Sequence, residues 1–314
     1  MTTYSFNDSE LAELKGKTIL IIGAASGIGY ETVKLAHSNG ANVAIGDWNQ
    51  TEGQAFAAEL KERVLFRRCD VSSWDDVLEL FQAAWKAFGI IHAVLSNAGI
   101  NKEDIFKDEI DSKTGKLLPP DLKLLDVNLT GMVYAVKCAV HYFAKWPDTR
   151  CQIVLTGSAA SFLDTPPLHL YCASKAGVLG LMRSLRSQLV NRNIVSHLPG
   201  QCGACIRTDW VETVNMVAPW MTATAMTKDL DGIWQREWGL PANMPDGVGR
   251  ALLLPVVRTN VNGKSFFVAG NNITEFEDKI HESQPIWMGE ELSKNVDEGQ
   301  RRLLPGNAPW TENC

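Results

Sequence analysis

Short apolar runs separated by amphipathic stretches recur along the chain. Thr18–Ile22, Asn42–Ile45, Val64–Arg67, His92–Leu95, Gln152–Leu155, Val214–Val217 and Ser265–Val268 are four or five residues long and often β-branched. Runs of that kind read as buried parallel strands. Between them Gly29–Asn39, Asp75–Phe88, Pro120–Tyr142 and Ser174–Val190 carry helical patterning. The first ends at Asn39-Gly40 and the second at Gly89, residues that stop helices by adopting a left-handed conformation. Alternating strands and helices predict an α/β fold: a doubly wound sheet of about seven parallel strands, flanked by helices joined through right-handed crossovers.

Three segments fall outside the alternation. Asn101–Pro120 is polar, carries Thr114-Gly115 and Pro119-Pro120, and reads as an exposed loop. Arg192–Thr213 separates the fourth helix from the sixth strand. Phe276–Cys314 is a tail too short for its own core, expected to wrap onto the main domain or a neighbouring subunit.

Candidate chemistry begins after the first strand. Gly23-Ala24-Ala25-Ser26-Gly27-Ile28-Gly29 is G-x-x-x-G-x-G between a strand and a helix. Glycines there let the chain turn sharply and bring backbone N–H groups close to a pyrophosphate at a helix N-terminus. Asp47 lies 20 residues beyond Gly27, at the end of the second strand. A carboxylate there accepts hydrogen bonds from an adenosine ribose and repels a 2′-phosphate. Ala24, Ala25, Trp48 and Asn49 supply no cation, so the loop points to NAD.

Tyr171 and Lys175 form Y-x-x-x-K, which puts both on one helix face. A tyrosine is a poor base at neutral pH unless nearby positive charge stabilises its phenolate. Ser158 stands at the end of the fifth strand, and Asn128 lies on the preceding helix. Asp70 and Asn97-Ala98-Gly99 follow strands three and four. Ligands of open parallel sheets gather beyond the carboxyl ends of the strands, so these groups converge on one crevice.

In these residues the chain resembles the short-chain dehydrogenases/reductases, from about Lys17 to Gly270. The motifs match in order: the glycine loop, Asp70-Val71, Asn97-Ala98-Gly99, Asn128, Ser158, Tyr171 and Lys175. The resemblance implies a Rossmann fold and a nicotinamide cofactor. It implies Tyr171 as general acid/base, Ser158 holding the substrate oxygen, and Lys175 binding the nicotinamide ribose while lowering the Tyr171 pKa. Asn128 would hold a water linking Lys175 to solvent. Asp70 would meet the adenine, with Asn97 and Ala98 lining the adenosine side.

Two departures stand out. Ile22 replaces the Thr usual before Gly23, implying a modest loss of hydrogen bonding in the loop. The family's N-x-V-x-P-G-x-x-x-T segment has two candidates. Leu198-Pro199-Gly200 has the usual dipeptide but no Thr at the required offset. Asn215-Met216-Val217-Ala218-Pro219-Trp220 follows a better strand, with Thr224 five residues after Pro219, and is favoured. Trp220 then stands for the usual Gly beside the nicotinamide, and Arg192–Thr213 becomes an insertion of about 20 residues, long for a connection within a domain.

Resemblance also places substrate contacts on Ser161–Leu170, on Asn101–Leu118 and after Pro219. Phe162, Leu163, Pro166, Pro167 and Leu168 make the first apolar; Met221, Met226, Ile233, Trp234 and Trp238 do the same for the last. His169 is either a substrate contact or a packing residue. The pattern implies a bulky, largely apolar alcohol or ketone. The tail, with Pro285-Ile286-Trp287 and Asn307-Ala308-Pro309-Trp310, looks like that of fungal secondary-metabolism members, implying a terpenoid, polyketide or alkaloid substrate. Pairing of the Asn128-bearing and Lys175-bearing helices between subunits is common in such folds. Ala176, Gly177 and Gly180 suit it, so a homodimer or homotetramer is expected.

Length and composition narrow the rest. At 314 residues two domains of ~150 would fit. The motifs instead run through one domain, with a core at about 17–270 and an extension at 276–314. The net charge of −6 comes with no basic stripe, which argues against nucleic acid. Met1–Glu10 has no secretory pattern, no stretch is long and apolar enough for a membrane helix, and the seven cysteines are scattered; a cytoplasmic protein is expected. Cys202 and Cys205, with His197 nearby, lack the second ligand pair of a zinc site, so no metal is expected. Two alternatives to an NAD-dependent dehydrogenase remain: a cofactor-binding scaffold for a non-redox isomerisation, cyclisation or dehydration, and an NADPH-dependent ketoreductase.

Overall fold

The computed structural model describes residues 2–102, 105–190 and 212–303. Its centre is one sheet. The strands are β1 (Thr2–Tyr4), β2 (Thr18–Ile22), β3 (Asn42–Asp47), β4 (Val64–Arg68), β5 (Ala93–Ser96), β6 (Cys151–Thr156), β7 (Glu212–Pro219), β8 (Ser265–Ala269) and β9 (Asn272–Glu275). They lie in the order β1-β9-β8-β7-β6-β5-β2-β3-β4. From β2 the chain winds outward through β3 and β4, then crosses to β5 and winds the other way. The switch lies between β2 and β5, the place where a doubly wound sheet opens a crevice.

The helices are α1 (Gly27–Ser38), α2 (Gln50–Leu60), α3 (Trp74–Phe88), α4 (Gly131–Phe143), α5 (His169–Val190), α6 (Lys228–Arg236), α7 (Pro245–Val257), α8 (Glu277–Glu282), α9 (Gln284–Met288) and α10 (Glu290–Leu303). Period-two alternation sends successive strand residues to opposite faces. Leu20, Ile22, Val94, Ile153 and Leu155 pack toward α3, α4 and α5. Ile19, Ile21, Val43, Ile45 and Val154 pack toward α1 and α7. Both faces are therefore covered, as continuous apolar strands require. Local chemistry sets the ends of α3: the Ser73 hydroxyl accepts the Asp76 N–H, and Gly89 takes φ 77° just past the last turn.

The sheet has nine strands where about seven are expected. The extra pair, β1 and β9, is antiparallel at one edge. Apolar-run reading misses both because an edge strand of this kind needs apolar residues only on its covered face. Tyr4 and Ile273 supply them, and Tyr4 meets Phe266 edge-on at 5.1 Å. The strand expected at Val214–Val217 runs Glu212–Pro219, buried throughout. Its polar Asn215 is disguised by pairing: its Nδ2 donates to the Val261 carbonyl and its Oδ1 accepts the Lys264 N–H.

The helix expected over Pro120–Tyr142 is also different. A turn at Lys123–Leu125 leads into a π-helical stretch, Asp126–Thr130, before α4 begins. Asn128 sits in that stretch, and single π turns often mark functional positions. The helix expected from Ser174 starts at His169, so Tyr171 lies within its first turn. The tail does pack on the main body. Buried Glu277 accepts hydrogen bonds from Arg183 (2.9 Å) and Arg186 (2.7 Å) of α5 and from the Ser265 hydroxyl (3.0 Å) of β8. Of the expected insertion Arg192–Thr213, only Glu212 and Thr213 are described, and they begin β7; His197, Pro199, Cys202 and Cys205 lie outside the described residues. No described helix is long and apolar enough to cross a membrane.

Candidate active site

The glycine loop leaves β2 and enters α1 at the switch point. Gly23 has φ 80° and Gly27 φ 56°, conformations that suit glycine. A Cβ on Gly29 would stand 2.0 Å from the Gly23 carbonyl oxygen and 2.8 Å from the Ala24 Cα. A Cβ on Gly23 would stand 2.5 Å from the Ala98 Cα. Backbone atoms cannot give way to such contacts, so this cradle admits only glycine. Gly29→Ala should lower the melting temperature and weaken NADH binding by at least about tenfold, the scale of a small overpacking cost. Thermal unfolding and NADH titration check it.

Asn97 has a role that spacing did not reveal. Its Nδ2 donates to the Gly23 carbonyl (2.9 Å), its N–H to the Ile22 carbonyl (2.9 Å), and its Oδ1 accepts the Thr156 hydroxyl (3.2 Å). It pins the loop to β5 and β6. That brace answers the loss of Thr at position 22: the Ile22 side chain is buried in the core instead.

At the end of β3, buried Asp47 accepts the Ala25 N–H on Oδ2 and the Asn49 N–H on Oδ1, both at 2.9 Å. Each oxygen retains a further lone pair. Trp48, next to it, is 73% exposed. Asp70 is engaged already: its Oδ1 accepts the Ser72 N–H (3.0 Å) and hydroxyl (2.6 Å), and Lys123 lies 3.4 Å from Oδ2. Burial pushes its carboxyl up, but these partners outweigh it and hold it below the usual carboxylate range. Val71 is buried against Gly131.

The four expected catalytic residues come together beyond β5 and β6. The Ser158 hydroxyl stands beside the Tyr171 phenol and works to lower its pKa. Lys175 Nζ lies 5.5 Å from the Tyr171 ring centroid and donates to the Thr156 carbonyl at 2.8 Å. Gly99 sits between Asn128 and Lys175: a Cβ there would be 3.4 Å from Asn128 Oδ1 and 3.7 Å from Lys175 Nζ. Asn128 is held on both sides, its Oδ1 accepting the Ile100 N–H (2.8 Å) and its Nδ2 donating to the Ile100 carbonyl (2.9 Å) and the Ser174 hydroxyl (3.3 Å). Its side chain braces the chain after β5. Ser161, absent from the motif reading, caps the Ser158 N–H and donates to the Lys175 carbonyl at 2.8 Å.

Electrostatics here differ from the expectation. Burial pushes the Tyr171 phenol above its ordinary value, and the Ser158 hydroxyl only partly opposes it. Burial also pushes the Lys175 ammonium down, to about 8.

The second candidate for the nicotinamide wall fits the fold. Pro219 ends the central strand β7, and Thr224 reaches the glycine loop, 3.5 Å from where a Gly27 Cβ would be. Trp220 donates its N–H to the Val268 carbonyl at 2.9 Å and packs its ring on Phe267 (5.7 Å) and Trp234 (6.1 Å). The family model for short chain dehydrogenase matches residues 17–232. The chain belongs to the short-chain dehydrogenases.

Relatives agree over nearly the whole length. The chain is 28% identical over 308 residues to short-chain dehydrogenase/reductase prx4 of Penicillium rubens, covering 92% of this chain and 85% of that protein. It is 28% identical to 5′-hydroxyaverantin dehydrogenase of Dothistroma septosporum, covering 90% and 93%. Over 190 residues it is 36% identical to NADP-dependent dehydrogenase clz5 of Cochliobolus lunatus, covering 55% and 65%. In fold, this dehydrogenase is similar to a 3-ketoacyl-(acyl-carrier-protein) reductase from Brucella melitensis complexed with NADH. The TM-score is 0.66 at 22% identity, covering 82% of this chain and 98% of that one. The chain is an oxidoreductase of a family that uses nicotinamide cofactors.

Proposed function

We propose that this protein is an NAD-dependent dehydrogenase interconverting a secondary alcohol and a ketone on a bulky, largely apolar small molecule. The observation that carries the reading is the convergence of Ser158, Tyr171 and Lys175 at the carboxyl end of β6, with the Lys175 ammonium 5.5 Å from the Tyr171 ring centroid. When bound, the nicotinamide accepts or gives the hydride. Ser158 holds the substrate oxygen, and Tyr171 takes or returns the hydroxyl proton. Lys175 binds the nicotinamide ribose, and its charge favours the phenolate when Tyr171 gives up its proton. Asn128 positions the segment that borders Lys175.

The residues present suit the cofactor. Gly23, Ser26, Gly27, Ile28 and Gly29 form a cradle for a pyrophosphate at the start of α1. Asp47 takes the adenosine ribose, and exposed Trp48 offers a stacking face for the adenine. Asp70, Val71, Asn97, Ala98 and Gly99 frame the adenosine side. Pro219 and Thr224 border the nicotinamide. The fungal relatives with dehydrogenase names favour a secondary metabolite as substrate. Gly180 of α5 faces open space, which suits a second copy packed there.

NADH and NADPH titrations by tryptophan fluorescence test the cofactor. The wild type should prefer NADH, and Asp47→Ala should shift the preference at least about tenfold toward NADPH by removing a repulsive carboxylate. A wild type that prefers NADPH would overturn the Asp47 argument. That second reading draws on the NADP-dependent relative.

A further inference from the structure

Ser158 and Tyr171 can hold one substrate oxygen, and a further polar side chain stands in the first turn of the helix that bears Tyr171. His169 opens α5, two residues before Tyr171. Its ring meets Phe106 edge-on, centroids 4.6 Å apart and planes at 88°. Phe106 is 83% exposed and belongs to the connection that follows β5, whereas His169 ends the connection that follows β6. The two connections leave neighbouring strands at the same end of the sheet. Their contact therefore stands at the mouth of the crevice that holds Tyr171.

His169 Nε2 is buried there, with no hydrogen-bond partner among the described residues. Leaving such an atom unsatisfied costs roughly 1–3 kcal/mol, and folded proteins seldom tolerate it without a reason. Phe106, the ring that His169 meets edge-on, is apolar and offers it no hydrogen bond. An imidazole nitrogen either donates or accepts according to its tautomer, so it suits a hydroxyl or a carbonyl oxygen.

We propose that His169 Nε2 receives a second oxygen of the substrate, which makes the substrate a hydroxyketone or a diol rather than a simple alcohol. The proposal rests on the dehydrogenase reading. A site built to hydrogen-bond an oxygen rejects the analogue that lacks it, because its own polar group then stays buried and unpaired.

The test compares tetralone with hydroxytetralone isomers in the holoenzyme. For the best isomer, wild-type kcat/KM should exceed that of tetralone by at least about tenfold. His169→Phe should bring the ratio near one, and His169→Gln, whose amide can reach the same oxygen, should restore much of it. A second readout does not need turnover. In the Tyr171→Phe variant with NADH, the histidine 15N signal lost in His169→Gln should shift with saturating hydroxytetralone and not with tetralone. A ratio unchanged by His169→Phe, or no shift at saturation, would overturn the proposal. A shift without turnover of any alcohol or ketone would sink the dehydrogenase reading and leave this one standing.

Discussion

Tyr171→Phe should reduce turnover by about a thousandfold or more while changing NADH affinity by less than about twofold. General acid–base catalysis contributes typically ~10²–10⁴. The phenol stands beside Ser158, where the proposed reaction needs a proton donor and acceptor. Removing one oxygen leaves the ring, its packing and the neighbouring Lys175 in place. Steady-state kinetics alongside NADH titration separates the outcomes. Retained turnover would remove Tyr171 from the chemistry. Lost turnover with lost NADH binding would mean that the substitution disturbed the cradle.

Lys175→Met should reduce activity by at least about a hundredfold and at the same time stabilise the fold. Burial lowers the Lys175 ammonium from 10.5 to about 8. Its folded value lies below its unfolded one, so holding the charge inside destabilises the protein. That cost is complete below about pH 8, shrinks as pH rises, and is gone above about 10.5. At neutral pH it is about 3 kcal/mol, taking ~1.4 kcal/mol per unit. Losing the bond to the Thr156 carbonyl offsets about 1 kcal/mol of the gain. The net expectation is a melting temperature higher by a few degrees at pH 7, with the advantage vanishing by about pH 10.5. A variant less stable than the wild type at pH 7 would show that the ammonium is held by more than the contacts described here. Stability surrendered at a charged, buried group is a common mark of a functional position.

Much of the architecture is legible along the chain because it depends on local pattern. Six of the seven parallel strands are short apolar runs buried because the sheet is covered on both faces, whereas β4, at the sheet's edge, is only partly buried and ends in exposed Arg67 and Arg68. The glycine loop is legible because only glycine permits its backbone angles and close contacts, as at Gly23 and Gly29. Tyr171, Lys175, Ser158 and Asn128 are legible through spacing and order, and the structure brings them to one end of the sheet. Strands β1 and β9 are not legible: β1 is a short edge strand whose partner lies about 270 residues away, and β9, its partner, offers only Ile273 as an apolar residue. Nor is the π-helical interruption at Asp126–Thr130, which arises where Asn128 binds the main chain of Ile100.

The sequence by itself determined the fold class, the family and which residues make up the candidate site. Each follows from residue type at fixed spacing. Only the tertiary structure decided their environment. It made Asn97 a brace for the glycine loop, raised Tyr171 and lowered Lys175 by burial, and chose Pro219 for the end of the central strand. It also buried His169 Nε2 beneath an exposed phenylalanine. These properties depend on desolvation and on contacts between distant segments, and neither is written in the spacing of residues along a chain.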